Sequence, residues 1–505
     1  MPIRLLVLLL AFTTLGLVAA SMGWPMVHDP PVNHYTAWRM LEGVVPFRDM
    51  FENNMPGTYL LHGAVIATIG GSDLAWRIVD LIALALTCGL ITAFGRPLGT
   101  PWSAAGAALL YALFHLSAGP PDMGQRDYMI VPLLLIGAYG VARHLERPGP
   151  RWPLVAAGAA VGLAMTVKPF PVLFLAALLV AVAWPARPNA MAMIRAAWPL
   201  AAAAAVPVAL IFGWLALIGG FWPFFQLIFG YTRPYYGPLW SQPFPMLFPS
   251  LLAPYVGPLG RALARFGLSE ALAWWFALPA VLAGAWALAA SLRGHWGPRL
   301  AVAWIGVGYG LIHYLAQAKG WEYHTYPLVA FLCVTASGLL GPAREGARGA
   351  RAVGLASVVT LAAFFTAQTI VMPDRPWIDQ KLQRVDALVA DLKPLLGPGD
   401  RVQVMDVSMG GLHALFKLRV PHATRYVYDL QFYHPLDANV AAWRADFIRA
   451  LEADLPPVMV LFQDNGVAFG FDRIDRFPAL KDLLARHYDA KVEHHGYRLY
   501  VRKPA

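Results

Sequence analysis

Residues 27–59 read VHDPPVNHYTAWRMLEGVVPFRDMFENNMPGTY. The stretch follows an apolar segment, 3–22, and precedes a long series of others. It carries His28, Asp29, His34, Arg39, Glu42, Arg48, Asp49 and Glu52. One charged side chain at mid-bilayer costs about 2.5–3.5 kcal/mol on insertion scales, so this stretch does not cross a membrane. It is a loop after the first span. The side on which it emerges decides how the rest of the chain is threaded.

Apolar segments recur at 74–94, 102–119, 128–146, 153–168, 170–186, 196–217, 270–292, 300–317, 325–341 and 352–372. A span needs about 20 apolar residues, so the shorter ones are borderline. The segment Pro56 to Gly70 is apolar but short, and it contains His62. If it does not span, the inside loops hold Arg96, then Arg143, Arg147 and Arg151, then Arg187 and Arg195, then Arg293 and Arg299, then Arg344, Arg348 and Arg351. The later outside loops would hold only Arg126, Lys168, Arg233, Arg261, Arg265 and Lys319. If it does span, the Arg-rich loops fall outside, against the positive-inside rule. The sequence therefore predicts a juxtamembrane or re-entrant helix at 56–70, about eleven spans, the N-terminus inside and the C-terminus outside. A cleaved signal peptide ending near Val18-Ala19-Ala20 is a competing reading of the first segment, and it leaves residues 27–59 on the same side.

Composition agrees with a polytopic membrane protein. The 505 residues are 58% hydrophobic and 13% charged, against roughly 25% charged for a soluble chain, and mean hydropathy is +0.52. The net charge of +10 would suggest nucleic acid in a soluble protein, but here much of it is loop arginine that sets topology. The cysteines, Cys88 and Cys333, lie in apolar segments and offer neither a disulfide framework nor a metal cluster.

The expected domains are a membrane region, 1–372, with a first exoplasmic loop at 23–73, and a soluble exoplasmic α/β domain at 373–505. The outside stretch 218–269, rich in aromatics and proline, is expected to lie along the membrane interface. In the tail, Trp377 to Leu396, Asn439 to Ala453 and Ala479 to His487 read as helices. Arg401 to Val407 and Val458 to Phe462 read as buried strands, and Lys491 to Arg502 as a hairpin around His495-Gly496. About 130 residues suffice for a separate core. No Gly-rich phosphate loop, nucleophile elbow or zinc spacing is present.

The outside turns carry the polar residues. Asp29 lies just past the first span, Arg126 and Asp127 open the fourth, Lys168 closes the fifth, and Lys319, His324 and Tyr326 fall in AKGWEYHTYP. A carboxylate at an interface can act as a base, because partial desolvation raises its pKa. Cations beside it can hold a phosphate through charge-assisted hydrogen bonds. Together they suit attack by a deprotonated hydroxyl on a sugar carried by a lipid phosphate. Bland readings compete: Asp29 and Asp127 as helix caps, Arg126 and Lys168 as snorkelling anchors, His324 as interfacial packing. Asp73 and Arg77 fit a helix-surface pair, and Asp80, inside a span, fits either function or pairing within the bundle.

With these residues in place, the chain resembles the GT-C superfamily of membrane glycosyltransferases, in the branch of protein mannosyltransferases and lipid A aminoarabinose transferases. The family's acid after the first span, followed by an Ala-Arg-x-Leu-like signature, is similar to Asp29 followed by Ala37-Trp38-Arg39-Met40-Leu41. Its Phe-Glu-x-x-Pro-x-Gly element resembles the stretch from Phe51-Glu52 to Pro56-Gly57, its second acid Asp127, and its late Tyr-His-x-x-Pro stretch residues 318–327. Pro30 stands where the family often has Glu, and Asn53 where it often has a phosphate-binding Lys. The tail is unlike the β-trefoil insertion of the eukaryotic mannosyltransferases.

The resemblance implies a polytopic α-helical GT-C fold with a small α/β exoplasmic domain, in a bacterial inner membrane with the C-terminal domain periplasmic. It implies a polyprenyl-phosphate sugar donor, inverting transfer, and an envelope glycan, lipid or protein acceptor. Asp29 would be the general base and Asp127 a second acid. Glu52, His34 and Arg39 would position the acceptor or the loop. Arg126, Lys168, Lys319, His324 and Tyr326 would meet the donor phosphate. No cofactor is implied with certainty, and a divalent metal stays open because relatives differ. A transporter or flippase, or a polymerase or ligase of lipid-linked saccharides, are the rival readings. The single polar face and the lack of repeats favour the enzyme over the transporter.

Overall fold

The computed structural model describes residues 3–265, 267–269, 271–292, 297–339, 348–406, 408–464 and 468–504. Arg293 and Arg344, which carry part of the orientation argument, lie outside the described residues. The chain divides into two compact units.

The first unit comprises Met1–Trp24, Trp76–Ile211 and Trp240–Met372. Among the described residues of the whole chain, seven helices are long and apolar enough to cross a membrane: Ile3–Gly23, Asp73–Leu98, Arg126–Glu146, Ala190–Leu217, Leu272–Ala290, Pro298–Gln317 and one that starts at Arg348. The last breaks at Met372, whose φ of 43° interrupts the ladder after Val371. Trp152–Val167 and Pro171–Ala186 are apolar but shorter, because Lys168-Pro169 cuts the stretch in two. The expected eleven spans thus resolve into seven full-length helices and several shorter ones.

Small residues let these helices approach closely. A Cβ on Gly162 would stand 2.1 Å from the Ala204 carbonyl oxygen, and one on Gly158 2.2 Å from that of Leu200. In lipid, where apolar burial drives little association, such close packing holds helices together. The unit's core is built from Leu113, Phe114, Tyr128, Leu134, Phe174, Tyr326 and Phe331 with their neighbours.

The second unit comprises Pro25–Ala75, Phe212–Leu239 and Pro373–Ala505. Its sheet has strands β1 (Val402–Met405), β2 (Val458–Phe462), β3 (Tyr488–His494) and β4 (Tyr497–Arg502), in the order β1-β2-β4-β3. β1 and β2 are parallel, and the other pairs antiparallel. β2, VMVLF, is buried at every position, as a central strand covered on both faces must be. His495 (φ 50°) and Gly496 (φ 79°) turn the β3–β4 hairpin; two positive-φ residues match the right-handed twist of the strands they join. Helices Arg375–Leu392, Gly411–Leu418, Ala438–Ala453 and Pro478–His487 accompany the sheet.

The opening stretch is part of this unit's core. Val32, Tyr35, Trp38 and Met50 share one apolar cluster with Val404, Phe416, Val460 and Leu499. Polar contacts fix the register. The Tyr35 hydroxyl accepts from the His422 amide at 2.7 Å, and the Phe51 amide donates to the Arg425 carbonyl at 2.7 Å. Pro56–Ile69 forms a helix of 14 residues, about 21 Å long and short of the ~30 Å hydrocarbon core. The stretch 218–269, read as an interfacial loop, is mostly helical: Phe221–Leu227, a π-helical Ile228–Tyr236, Gly237–Trp240 and Phe244–Arg265. Aromatic burial outweighs its prolines: Phe224, Leu227 and Tyr231 pack into the core with Phe47, Phe51 and Tyr59.

Candidate active site

Asp29 occupies the N-cap position of the helix Pro30–Leu41, yet its side chain caps nothing. The sequence explains this. A capping carboxylate accepts from the N–H of the second or third helical residue. Pro31 has no N–H, and the Val32 amide already donates to the Asp29 carbonyl at 3.1 Å. Asp29 itself is helical (φ −72°, ψ −32°), outside the extended conformation of a capping residue. The carboxylate pairs instead with His28 Nδ1 at 3.3 Å and keeps 27% of its side chain exposed. The cap reading of Asp29 does not hold.

Glu52 is fully buried. It accepts from the Asn53 amide at 2.8 Å, from Asn54 Nδ2 at 3.0 Å and from the Tyr428 hydroxyl. Asn54 Nδ2 also donates to Asn33 Oδ1 at 3.2 Å. Asn53, the residue in place of a family lysine, thus contributes its backbone to the acid before it. His34 is buried with its Nδ1 2.7 Å from His62 Nδ1; desolvation holds it at about 4, against the Pro30 carbonyl that favours its proton. Arg39 pairs with Glu42 and lies over the Trp38 ring.

In the first unit, Asp127 is fully buried at the start of Arg126–Met129. Lys168 Nζ lies 2.9 Å from one of its oxygens, and His313 Nε2 2.7 Å and Gln317 Nε2 3.0 Å from the other. Lys168 also donates to Gln317 Oε1 at 2.9 Å, and the Tyr309 hydroxyl sits 3.0 Å from His313 Nδ1. His324 lies within electrostatic reach of Asp127, Lys168, His313 and Lys319; burial pushes its imidazole well below the ordinary value, despite the pull of Asp127. Lys319 Nζ stands 4.4 Å over the Trp321 ring, and Trp321 is 5.5 Å from His324. Arg126 and Lys319 are partly exposed.

Tyr326 belongs to another network. Its hydroxyl is 2.9 Å from His115 Nδ1, and His115 Nε2 is 3.1 Å from Asp80. Asp80 also accepts from Arg77 and from the Gly124 amide at 2.7 Å. Arg77 reaches the Ser21 hydroxyl at 2.5 Å and stacks on Trp24. Gly124 (φ +64°) is required here, since a Cβ would stand 2.3 Å from the Trp76 indole. Asp80 is therefore a paired acid inside the bundle, and Arg77 pairs with it rather than with Asp73, which accepts from the Met26 amide at 3.0 Å.

The structure thus brings Asp127, Lys168 and His324 together and assigns Tyr326 to Asp80; Asp29 and Asp127 belong to different units. Sequence reasoning missed His313 and Gln317, which hold the Asp127 carboxylate. An intramembrane histidine in 300–317 is itself a signal. Among the described residues, no group of three or more His, Cys, Asp or Glu is arranged to hold a metal ion.

Residues 55–216 match the family model of dolichyl-phosphate-mannose-protein mannosyltransferase. The fold is similar to that of ArnT from Cupriavidus metallidurans. With undecaprenyl phosphate bound, that structure gives 13% identity and a TM-score of 0.58, covering 99% of this chain and 99% of that one. The apo state gives 0.61 at the same identity and coverage. The oligosaccharyltransferase of Archaeoglobus fulgidus, tethered with an acceptor peptide, is similar at 12% identity and a TM-score of 0.50, covering 99% of this chain and 74% of that one. No curated protein matches. The family model thus covers about a third of the chain, and the likeness to ArnT, which extends over nearly the whole of it, is one of fold.

Proposed function

We propose that this protein moves a sugar from a polyprenyl-phosphate-linked donor to an envelope lipid, glycan or protein, with inversion, at the exoplasmic face of a bacterial inner membrane. The N-terminus is cytoplasmic and the segment 373–505 periplasmic. Asp29 takes the proton from the acceptor hydroxyl as its oxygen attacks the anomeric carbon. The bond from that carbon to the phosphate oxygen breaks, and polyprenyl phosphate leaves with the bonding pair.

The observation that carries the reading is the Asp29 carboxylate. It follows the first apolar segment, keeps 27% of its side chain exposed and lies 3.3 Å from His28 Nδ1. It stays available as a base. The family match over 55–216 and the undecaprenyl phosphate bound by the similar ArnT structure support the donor class.

The leaving phosphate meets the group Arg126, Lys168, Lys319, His324 and Tyr326. Asp127 acts from behind, fixing Lys168, His313 and Gln317. Glu52 and His34 shape the loop, and Arg39, tied to Glu42, lies at its partly exposed rim.

The test is Asp29→Asn, purified and incubated with labelled polyprenyl-phosphate sugar and membrane extract. Loss of a general base predicts a fall of about 10²–10⁴-fold in transfer by a variant that still inserts. Undiminished transfer overturns the assignment.

A further inference from the structure

We propose that Gln317, the last residue of the helix Pro298–Gln317, is a positioning residue that holds the Lys168 ammonium for the donor phosphate. The proposal rests on the reading of Lys168 as part of the phosphate-binding group. Its geometry lies wholly within the first unit. Gln317 Oε1 accepts from Lys168 Nζ at 2.9 Å, and Gln317 Nε2 donates to Asp127 Oδ1 at 3.0 Å. Lys168 Nζ is in turn 2.9 Å from Asp127 Oδ2. The three side chains close a ring of contacts around a lysine that keeps 10% of its side chain exposed.

The polarity of the amide permits one orientation. Turned over, it would set its NH2 against the ammonium and its oxygen against the carboxylate. Nε2 also lies 3.0 Å from His313 Nε2 and donates to the His313 carbonyl at 3.4 Å, one turn back on the same helix. Asp127 does not need this amide for its own satisfaction: Lys168 meets one of its oxygens and His313 Nε2, at 2.7 Å, the other. The lysine gains more. An ammonium is a point charge on a flexible four-carbon stem, and holding it in place beforehand lowers the entropy lost when a ligand arrives. A neutral amide does this without adding negative charge. A glutamate at the same position would set a second carboxylate against Asp127 and against the phosphate.

The probe is undecaprenyl phosphate, titrated onto purified full-length protein. Affinity is read on the folded fraction after size-exclusion, so that a loss of stability alone does not move it. Gln317→Met, similar in length and without the amide, should raise Kd at least about fivefold, because the ammonium is no longer held for its charge-assisted contact. Gln317→Glu should raise it further, although glutamate is nearer to glutamine in shape. A purely structural amide predicts the reverse order, and that order overturns the proposal. Lys168 is removed in the Asp127→Asn/Lys168→Met background, where neither charge is stranded. Adding Gln317→Met there should change Kd by less than about twofold, since the amide works through the lysine. If Asp127→Asn/Lys168→Met binds the probe like the parent, the phosphate role of Lys168 fails and takes this inference with it. If that variant binds weakly while Gln317→Met and Gln317→Glu bind like the parent, this inference fails and the role of Lys168 stands. Should Gln317→Met not purify folded, Gln317→Glu decides alone, and parent-like affinity overturns the proposal. A Gln317→Met loss repeated in full in the lysine-free background marks a structural amide and overturns it as well.

Discussion

Lys168 Nζ lies 2.9 Å from an oxygen of Asp127, a carboxylate with no exposure to solvent. The two residues come from different helix ends, and His313 and Gln317 complete the ring around the acid. Such a pair contributes little over an apolar substitute, yet removing one partner leaves an uncompensated buried charge that costs about 3–5 kcal/mol.

Asp127→Ala and Lys168→Met should therefore each destabilise the protein by that order. Asp127→Asn should cost less, because the amide still accepts from Gln317. Asp127→Asn/Lys168→Met should recover at least half the loss of Lys168→Met, since neither charge is then stranded. Thermal melts of the detergent-solubilised protein, followed by size-exclusion, read the effect. Additive losses in the double variant would show that the two do not form a coupled pair.

This cluster also marks the limit of what the sequence discloses. Periodicity and caps are local, so the tail's elements were legible: the strand expected at Val458 to Phe462 is there residue for residue, and the helix expected at Asn439 to Ala453 begins one residue early. The pairing of Asp127 with His313 joins residues 186 positions apart, and no local pattern reports it. The same holds for Tyr428 with Glu52, 376 positions apart. The prolines after Asp29 were visible, but their consequence needed the backbone: the Val32 amide bonds to the Asp29 carbonyl, and the side chain makes no cap.

Glu52 gives the second prediction. It is buried and takes three donors, from Asn53, Asn54 and Tyr428. Glu52→Ala takes their acceptor from the Tyr428 hydroxyl and the Asn53 backbone amide, while Asn54 Nδ2 keeps Asn33 Oδ1, and each group left unsatisfied costs about 1–3 kcal/mol. Glu52→Gln retains an acceptor oxygen and should cost less than half as much. Limited proteolysis of full-length protein should cut Glu52→Ala faster within 42–55 than the parent. Equal cleavage rates would show that Glu52 does not hold the loop.

Acid should loosen the second unit through its buried histidines. His422 Nε2 accepts from the Val404 amide at 3.1 Å, and Nδ1 is 3.1 Å from the Thr424 carbonyl, so the neutral ring with its proton on Nδ1 satisfies both. Burial lowers His422 from 6.5 to about 4, against the Thr424 and Val404 carbonyls that favour the proton; His34 is likewise lowered to about 4 and His413 to about 3. Each of these rings binds its proton more readily when unfolded. Stability is full above about pH 6.5 and falls as pH drops toward 4. For His422 the ceiling is about 3 kcal/mol. His422→Gln should flatten the decline of melting temperature between pH 6.5 and 4.5 without abolishing it, because His34 and His413 still titrate. An unchanged slope would show that His422 is not held neutral.

Orientation is the last prediction. The arginine asymmetry predicts Arg147 in the cytoplasm and the segment 373–505 outside. Both native thiols lie in apolar segments: Cys333 is buried and Cys88 partly so, which leaves a low labelling background. Arg147 is exposed, and Leu436, in the tail, is 69% exposed. A membrane-impermeant maleimide applied to intact spheroplasts should label Leu436→Cys at once and Arg147→Cys only after permeabilisation. Labelling of Arg147→Cys in intact spheroplasts would invert the chain. It would require Pro56–Ile69 to cross the bilayer despite its 14 residues, and it would move Asp29 relative to the face on which a lipid-linked donor is met.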